Sequence, residues 1–422
     1  MKMTTLRRIA PALALVTAGV LMASCSSDKS SDTTVAAADT TAAAPADTVA
    51  AAPAETAAPA ADTAAAPDTT AAAADTTAAA AASGDIVAEA KAFVDGQLQG
   101  SGGFEGPKEG PKAAEAKKIV YVASDLTNGG ITAVAEGAKE AAKAIGWTME
   151  VLDGKATALG RTDALNAAIA SKPDGIILGG FDAVEQKTAI AQATDQKIPV
   201  VGWHAGATPG PIPDAGIFTN VTTDPLEVSK IAAYYAIADS NGTAGVVIFT
   251  DTQYEIAVKK ADTMRDIIKQ CAGCSVLSYE NSPIAEADSK MPPLVASLLQ
   301  KYGDKLTYML AINGNYYGGS RQALKDAGKD PAGPPKQIAA GDGDAAEFKR
   351  IREGDYQTAT VAEPLYLQGW QLVDEVNRAL NNAPASGYLA PPGLVVKGNV
   401  GTGDVFDPAA KYRDNYKAIW GK

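Results

Sequence analysis

The sequence has very little histidine and cysteine, with one His and three Cys among 422 residues. So small a set leaves no Cys/His cluster of the kind that holds structural zinc, and we predict no metal site. Basic residues are in the minority, with 37 Lys and Arg against 49 Asp and Glu, and they form no block. This charge balance argues against nucleic acid as a partner.

Motifs for nucleotide binding and for hydrolysis are also missing. The sequence contains no G-x-x-x-x-G-K-[ST] loop and no G-x-S-x-G elbow. A looser glycine motif spans 341–346, but Asp342 and Asp344 would place two negative charges against a pyrophosphate. The single imidazole, on His204, could serve as a general base, but no serine or cysteine in the sequence has the context of an activated nucleophile. We therefore predict that the protein is not an enzyme and needs no cofactor.

A long apolar run is missing from most of the chain, and the one apolar stretch near the N-terminus is short. Arg7 and Arg8 precede Ile9–Met22, which falls short of the roughly 20 apolar residues that span a bilayer. Residues 1–25 therefore read as an export signal. Its MASC ending resembles the lipobox of bacterial lipoproteins, which implies acylation of Cys25 and anchoring to the outer face of the cell membrane. An ordinary cleaved signal is the alternative.

Residues 26–84 contain almost only Ala, Thr, Asp and Pro in imperfect repeats such as ADTTAAAPADT. Such a segment buries too little apolar surface to offset the entropy of ordering its backbone. We predict a disordered tether here. It is followed over 85–116 by a short helix and a Gly/Pro-rich spacer, GSGGFEGPKEGPK.

The remaining 306 residues alternate between strand-like and helix-like segments. Ten continuous apolar runs, such as KIVYVAS, DGIILGG and GVVIFT, are separated by amphipathic runs such as ITAVAEGAKEAAKAIG. Continuous apolar strands are typical of parallel sheets covered by helices on both faces. We predict an α/β fold of two Rossmann-like lobes, because ten strands exceed one compact core. The final run, KYRDNYKAIWGK, is predicted to form a helix that packs Trp420 on the body.

Two of the cysteines are close neighbours in the chain, Cys271 and Cys274. They follow a helical run, whereas a redox C-x-x-C works best at a helix N-terminus, where the dipole lowers the thiol pKa. For an exported protein, a structural disulfide between them is the preferred interpretation.

Polar and aromatic residues recur directly after the apolar strands. Because the carboxyl ends of parallel strands gather along one edge of a sheet, two facing edges would form a binding cleft. The candidate ligand-binding residues at or near these strand ends are Asp125, Asn128, Phe181, Trp203, His204, Asp251, Tyr254, Asn313, Tyr316, Asp342 and Glu363.

With these residues in view, 117–400 resemble the type I periplasmic binding proteins, in particular the ribose-binding branch. IPVVGWH is similar to a strand of that family that leads to ligand contacts. LAINGNYYGGSRQAL and IAAGDGDAAEFKRIREGDYQTATVAEP resemble segments that implicate Asn313, Asp342 and Glu363. The resemblance implies a monomer that closes on a small solute and delivers it to the permease of an ABC importer.

The resemblance also implies a hinge with three crossings between the lobes. Lobe 1 would comprise 117–221 and 364–385, and lobe 2 would comprise 222–363 and 386–422 with the C-terminal tail. The chain departs from the sugar binders of this family at two places. It has Gly129-Gly130 where they place stacking aromatic residues, and it has only Lys259 or Lys260, a poor substitute, where they have an arginine.

The strand ends carry carboxylates and no arginine, which argues against an anionic ligand. A neutral sugar or polyol suits carboxylate acceptors, and so does a cationic amine. Of the two, we favour a sugar or polyol. Two other roles stay open: a sensory receptor with the same body, and a structural wall lipoprotein with no ligand.

Overall fold

The computed structural model describes residues 86–100, 104–409 and 411–422. The predicted signal peptide with Cys25 and the tether at 26–84 lie outside the described residues. Residues 86–98 form the first helix, α1, as the sequence predicts. In these three ranges no helix is both long and apolar enough to cross a membrane.

The first lobe is built on a six-stranded sheet with the order β2-β1-β3-β4-β6-β5. Its first four strands and β6 are parallel, and β5 is an antiparallel edge strand. The strands are β1 (Lys118–Ala123), β2 (Thr148–Asp153), β3 (Gly175–Gly179), β4 (Val200–Trp203), β5 (Gly210–Ile212) and β6 (Ile217–Val221). The helices between them are α2 (Gly129–Ile145), α3 (Ala158–Ala170) and α4 (Lys187–Asp195).

The second lobe repeats this plan with the strand order β12-β11-β10-β9-β7-β8. Only β12 is antiparallel to its neighbour. The strands are β7 (Gly245–Thr250), β8 (Ser275–Asn281), β9 (Tyr308–Ala311), β10 (Lys336–Ala339), β11 (Gln357–Ala362) and β12 (Gly393–Val396). The helices are α5 (Pro225–Asp239), α6 (Glu255–Ile268), α7 (Ala287–Tyr302), α8 (Asn315–Asp326) and α9 (Ala345–Glu353).

The central strands are apolar throughout because helices cover both faces of each sheet. In the first lobe alternate residues of β1 face opposite sides: Ile119 and Tyr121 lie in one buried cluster, Val120 and Val122 in another. In the second lobe every residue of β7 is buried. The predicted α/β fold with two lobes is confirmed.

The terminal segments do not follow a simple division into lobes. Helix α1 packs on the second lobe, where Tyr234 Oη donates to Glu89 at 2.7 Å. Two more helices complete the chain, α10 (Leu365–Leu380) and α11 (Tyr412–Trp420), and α11 packs on α2 and α10 of the first lobe. The segment 386–422, grouped with lobe 2 from the sequence, is therefore split: β12 joins the second sheet, and α11 joins the first lobe. Trp420 is buried, 1% exposed, as expected for a packed helix.

Cys271 and Cys274 lie beyond the C-terminal end of α6, just before β8. Their Cα atoms are 5.2 Å apart and their sulfurs are joined. This spacing is within the range that a disulfide bridges. The structural disulfide stays a prediction that fits the geometry.

Candidate ligand-binding site

The strand tips of the two sheets face each other across a cleft. Residues from both lobes line a small inner cavity there, with ≈ 60 Å³ open to the centres of water molecules. At roughly 10–15 Å³ for one water, this space holds about four to six waters. Its polar lining residues are Ser124, Asp125, Asn128, His204, Tyr254, Lys260, Asn313 and Asp342.

The first-lobe side of the cavity is formed by the end of β1 and the start of α2. Asn128 is the N-cap of α2, and its Oδ1 accepts from the backbone N–H groups of Gly130 and Ile131 at 3.0 and 3.2 Å. This cap fixes the side chain, so that its Nδ2 group remains for a ligand. Asp125 forms a turn in which its carboxylate accepts from the backbone and hydroxyl of Thr127.

A second group of first-lobe residues follows β4. The rings of Trp203 and His204 stack with centroids 3.9 Å apart and planes 13° from parallel. His204 has φ +52°, a left-handed conformation that turns the chain directly after the strand. The imidazole faces the cavity, and Trp203 lies behind it with its Nε1 donating to Gln368 Oε1 at 2.9 Å.

Glu363 is fully buried at the crossing between β11 and α10 and holds this region together. Its Oε1 accepts from Lys260 Nζ at 3.1 Å, and its Oε2 lies 3.0 Å from His204 Nε2 and accepts from Gln368 Nε2 at 2.9 Å. Burial opposes ionisation of Glu363, yet the Lys260 ammonium and the hydrogen bonds from His204 and Gln368 hold the pKa of its carboxyl well below the ordinary value. The Glu363 carboxylate thus contacts residues of both lobes, His204 and Gln368 of the first and Lys260 of the second.

His204 is the neutral member of this group. Burial lowers the pKa of its imidazole, and this desolvation outweighs the attraction of the Glu363 carboxylate. The uncharged ring donates Nε2–H to Glu363, so its Nδ1 is an acceptor. His204 therefore adds no charge to the cleft near pH 7.

Asp342 is a buried acidic residue that faces the inner cavity. It is 5% exposed, lines the cavity, and its carboxyl group has no hydrogen-bond partner among the described residues. Burial raises the pKa of Asp342 well above its ordinary value, against the attraction of Lys260. A buried polar group without a partner is costly, so a ligand that donates a hydrogen bond here would stabilise the closed cleft.

Ligand atoms of His204, Asp342 and Glu363 lie within 4.8 Å of one another, a spacing that a metal ion would also use. The Lys260 ammonium already occupies one side of Glu363 at 3.1 Å. A second cation beside this ammonium would be repelled. The cluster is better suited to hydrogen-bonding groups of a solute than to a metal.

Of the residues predicted from the sequence, seven line the inner cavity: Asp125, Asn128, Trp203, His204, Tyr254, Asn313 and Asp342. Four do not. Phe181 is buried in the first-lobe core. Asp251 accepts from the backbone of Gln253 and Ile284 in a turn, Tyr316 Oη donates to Ser282 O in the second-lobe core, and Glu363 lies behind the cavity with both oxygens engaged. These four strand-end positions serve folding contacts rather than the cavity surface.

Two charged residues of the site region were not predicted. Lys260 points inward from α6, although the sequence alone offers it only as a poor substitute for an arginine. Arg161, on α3, is buried behind Ser124 and forms a two-bond ion pair with Glu185 at 2.9 and 2.6 Å. The helical spacing of Lys260 with Ile256, Ala257 and Met264, all buried, was the available signal, because it places the lysine on the inner face.

The family comparison agrees with this architecture. Residues 119–384 match the periplasmic binding protein domain family, and the match covers more than half of the chain. The protein belongs to this family, whose members bind small solutes outside the cytoplasm and are not enzymes. The prediction that this chain is not an enzyme is thereby confirmed.

Solved structures share the fold at low sequence identity. A sugar ABC transporter protein from Yersinia enterocolitica superposes with a TM-score of 0.62 at 18% identity, covering 73% of this chain and 93% of its own. A solute-binding protein from Agrobacterium vitis bound with α-D-tagatopyranose gives 0.60 at 19% identity, with 68% and 97% covered. One from Bacillus halodurans with bound myo-inositol gives 0.58 at 19% identity, with 67% and 96% covered. No match is found among curated proteins.

Proposed function

We propose that the protein is a lipid-anchored receptor that captures a small polyhydroxylated solute, a sugar or polyol, and delivers it to an ABC importer. The observation that carries this proposal is the buried carboxyl group of Asp342, which faces a cavity that both lobes line and has no hydrogen-bond partner in the described part of the chain. Hydroxyl groups satisfy such a carboxyl by donation, and they also accept from the amide groups of Asn128 and Asn313.

The remaining lining residues offer surfaces against which part of a sugar ring can pack. Tyr254 offers an aromatic face, and Ile131, Ile256 and Ile312 offer apolar surface. Lys260 is neutralised by Glu363, so the residues that line the inner cavity in the described part of the chain offer no free cation to an anionic solute. Three structures with the same fold have a sugar or a polyol in their names, as bound tagatopyranose, myo-inositol or glycerol, and this supports the class of solute.

Capture would proceed by closure of the two lobes. A solute that contacts both lobes binds the closed form better than the open form and shifts the population toward it. Anchoring through Cys25 and the tether at 26–84 would then keep the closed protein near the permease.

A ligand screen tests this function. The protein is unfolded and refolded to strip resident solute, and its melting temperature is measured against sugars, polyols, amines and amino acids. A ligand at 1,000 times its dissociation constant adds about 4 kcal/mol of stability, which shifts the melting temperature by several degrees. A shift with sugars or polyols supports the proposal. A shift with amino acids alone, or no shift with any solute, would contradict it.

Delivery needs a separate test in the source bacterium. Deletion of the gene should abolish uptake of the radiolabelled solute, and a Cys25→Ala variant should release the protein and reduce uptake. Normal uptake in the deletion strain, with an altered transcriptional response to the solute, would indicate a sensory receptor instead.

A further inference from the structure

The inner cavity opens into a larger outer chamber at the mouth of the cleft. The two share Asp125, Asn128, Ile284 and Ala285 as lining residues. By the same measure of open volume, the chamber offers ≈ 630 Å³ against ≈ 60 Å³ in the inner cavity. The inner cavity alone, with room for about four to six waters, is small for a whole hexose, so a solute bound there has open space to extend outward.

Both lobes build the outer chamber. The first lobe contributes the start of α2, and the second contributes the starts of α7, α8 and α9. Gly129, Gly314 and Gly318 are among its lining residues, so part of its wall is backbone. A solute part that lies here would touch both lobes and contribute to closure.

The charge of the chamber is strongly one-sided. Its five carboxylates are Asp125, Glu136, Asp288, Asp344 and Asp404, and its one cationic side chain is Arg350. Glu136 has Lys139 at 3.7 Å, but the other four have no salt-bridge partner within the described ranges 86–100, 104–409 and 411–422. A cleft with walls of one charge focuses its field on whatever enters.

Buried carboxyl groups add an independent observation. Asp344 is 6% exposed; its Oδ1 caps α9 by accepting from the Glu347 N–H at 2.9 Å, while its Oδ2 has no partner among the described residues. Asp342, two residues earlier and 5% exposed, presents its unpartnered carboxyl group to the adjoining inner cavity. Each of these acceptor oxygens can take a hydrogen bond from a donor group of a ligand.

We propose that the solute extends from the inner cavity into the outer chamber and carries an ammonium group on its outer part. This inference rests on the proposed function, since the polyhydroxylated part occupies the inner cavity. The ligand class is thus an amino sugar, an amino-polyol or a longer glycoside with an amine. The ammonium group donates to the free carboxylates of the chamber, and a neutral glycoside in the same place leaves them unpaired.

Titration calorimetry on matched pairs tests the inference. The probes are neutral solutes and their amino counterparts: glucose, galactose and mannose with the 2-amino sugars, myo-inositol with an aminoinositol, and cellobiose with the β-1,4-linked glucosamine disaccharide. We expect the amino member of the bound pair to bind about tenfold more tightly at 50 mM salt, and the ratio to shrink at 500 mM salt.

Two variants test whether the carboxylates of the outer chamber cause the preference for the amino member. Asp288 and Asp404 are exposed, and Asp288→Asn with Asp404→Asn should reduce the preference for the amino member about 3–10-fold. Asp195→Asn, at the distant end of α4, removes the same charge and should leave the preference unchanged.

The outcomes separate this inference from the proposed function. Equal binding of the neutral and amino members, or a preference that the chamber variants leave intact, overturns the inference and leaves the sugar receptor standing. Failure of every neutral and amino probe to bind overturns both.

Discussion

Lys260 shows how one residue on a helix shapes the cleft. It is 3% exposed and forms its ion pair with a carboxylate that is itself fully buried. A buried ion pair adds little net stability, but removing one partner leaves the other charge uncompensated. The main effect of Lys260 is therefore to compensate the buried charge of the Glu363 carboxylate at the junction of the lobes.

Replacing this lysine gives a sharp stability prediction. Lys260→Met should lower the free energy of unfolding by about 3–5 kcal/mol, because Glu363 loses its cation. Lys259→Met is the matched control: it changes the same residue type one position away on the exposed face and should alter stability by less than about 0.5 kcal/mol. Urea denaturation at pH 7 measures both, and equal effects would contradict the role assigned to Lys260.

Gly130 explains why stacking aromatics are missing from the first lobe. A Cβ atom at this position would lie 2.7 Å from Asp342 Oδ2 and 3.1 Å from Asp342 Cβ, across the cleft. The neighbouring Gly129 faces Asp344 in the same way. Side chains here would displace the carboxyl group that the proposed ligand contacts.

Gly130→Ala should therefore lower ligand affinity without lowering the stability of the fold. In a helix, alanine is favoured over glycine by roughly 0.5–1 kcal/mol, so the variant should unfold no more easily than the parent. Ligand affinity should fall about 5–30-fold, as expected for a loss of 1–2 kcal/mol. Gly96→Ala, in α1 where nothing lies within 4 Å of the added Cβ, should change stability alone. If calorimetry shows unchanged ligand affinity in Gly130→Ala, the close approach of Gly130 to Asp342 does not contribute to ligand binding.

Helix α10 links the lobes and carries an unusual number of buried polar residues, among them Gln368, Asp374, Glu375, Asn377 and Arg378. Gln368 bonds Trp203 and Glu363, whereas the other four have partners in the predicted spacer or in 386–422. The Asn377 amide bonds the backbone at Pro111 and Ala114, and Trp420 Nε1 donates to Asp374 Oδ1 at 2.8 Å. These bonds fasten residues 104–117 and α11 to the first lobe.

Glu375 gives this helix a pH-dependent contribution to stability. Burial raises the pKa of its carboxyl to about 7, although hydrogen bonds from Ser386 lower it. The folded state therefore keeps a proton that the unfolded state loses near pH 4.5, and stability is lost as pH rises from 4.5 to 7. At 1.36 kcal/mol for each pH unit, the loss is about 3 kcal/mol.

Glu375→Gln removes this titration and keeps an acceptor for Ser386. Relative to the parent, the variant should gain about 3 kcal/mol of unfolding free energy between pH 4.5 and pH 8. Urea denaturation across this range measures the difference between the two proteins. Parallel pH profiles would show that Glu375 ionises without penalty in the folded state.

The elements were largely predictable because their apolar periodicity is strong. All ten strand-like runs form strands, and the strand-end rule led to Asn128, His204 and Asp342. The edge strands β5 and β12 were missed because they are three and four residues long and lie beside prolines that obscure the strand pattern. The packing of α11 on the first lobe was not predictable, because local sequence does not reveal which distant surface a helix covers.

The molecule as a whole brings the starts of α2 and α9 into contact across the cleft. This contact exists only when the lobes are closed, since α2 belongs to the first lobe and α9 to the second. A Cβ atom at Gly129 would lie 2.9 Å from Asp344 Cβ. A slight separation brings this pair into the roughly 3.5–4.5 Å range of disulfide-linked Cβ atoms.

A cysteine pair placed here should report closure. In a Gly129→Cys, Asp344→Cys variant, we expect mild oxidation to form the cross-link faster with bound solute than without, because the solute shifts the population toward the closed form. Once formed with solute inside, the bond should slow solute release, and reduction should restore it. The pair Gly129→Cys with Asp195→Cys controls for thiol reactivity, since α4 lies away from the cleft. Cross-linking at the same rate with and without solute would mean that the lobes close without help from the ligand, and the receptor would then bind by side-chain rearrangement rather than by hinge motion.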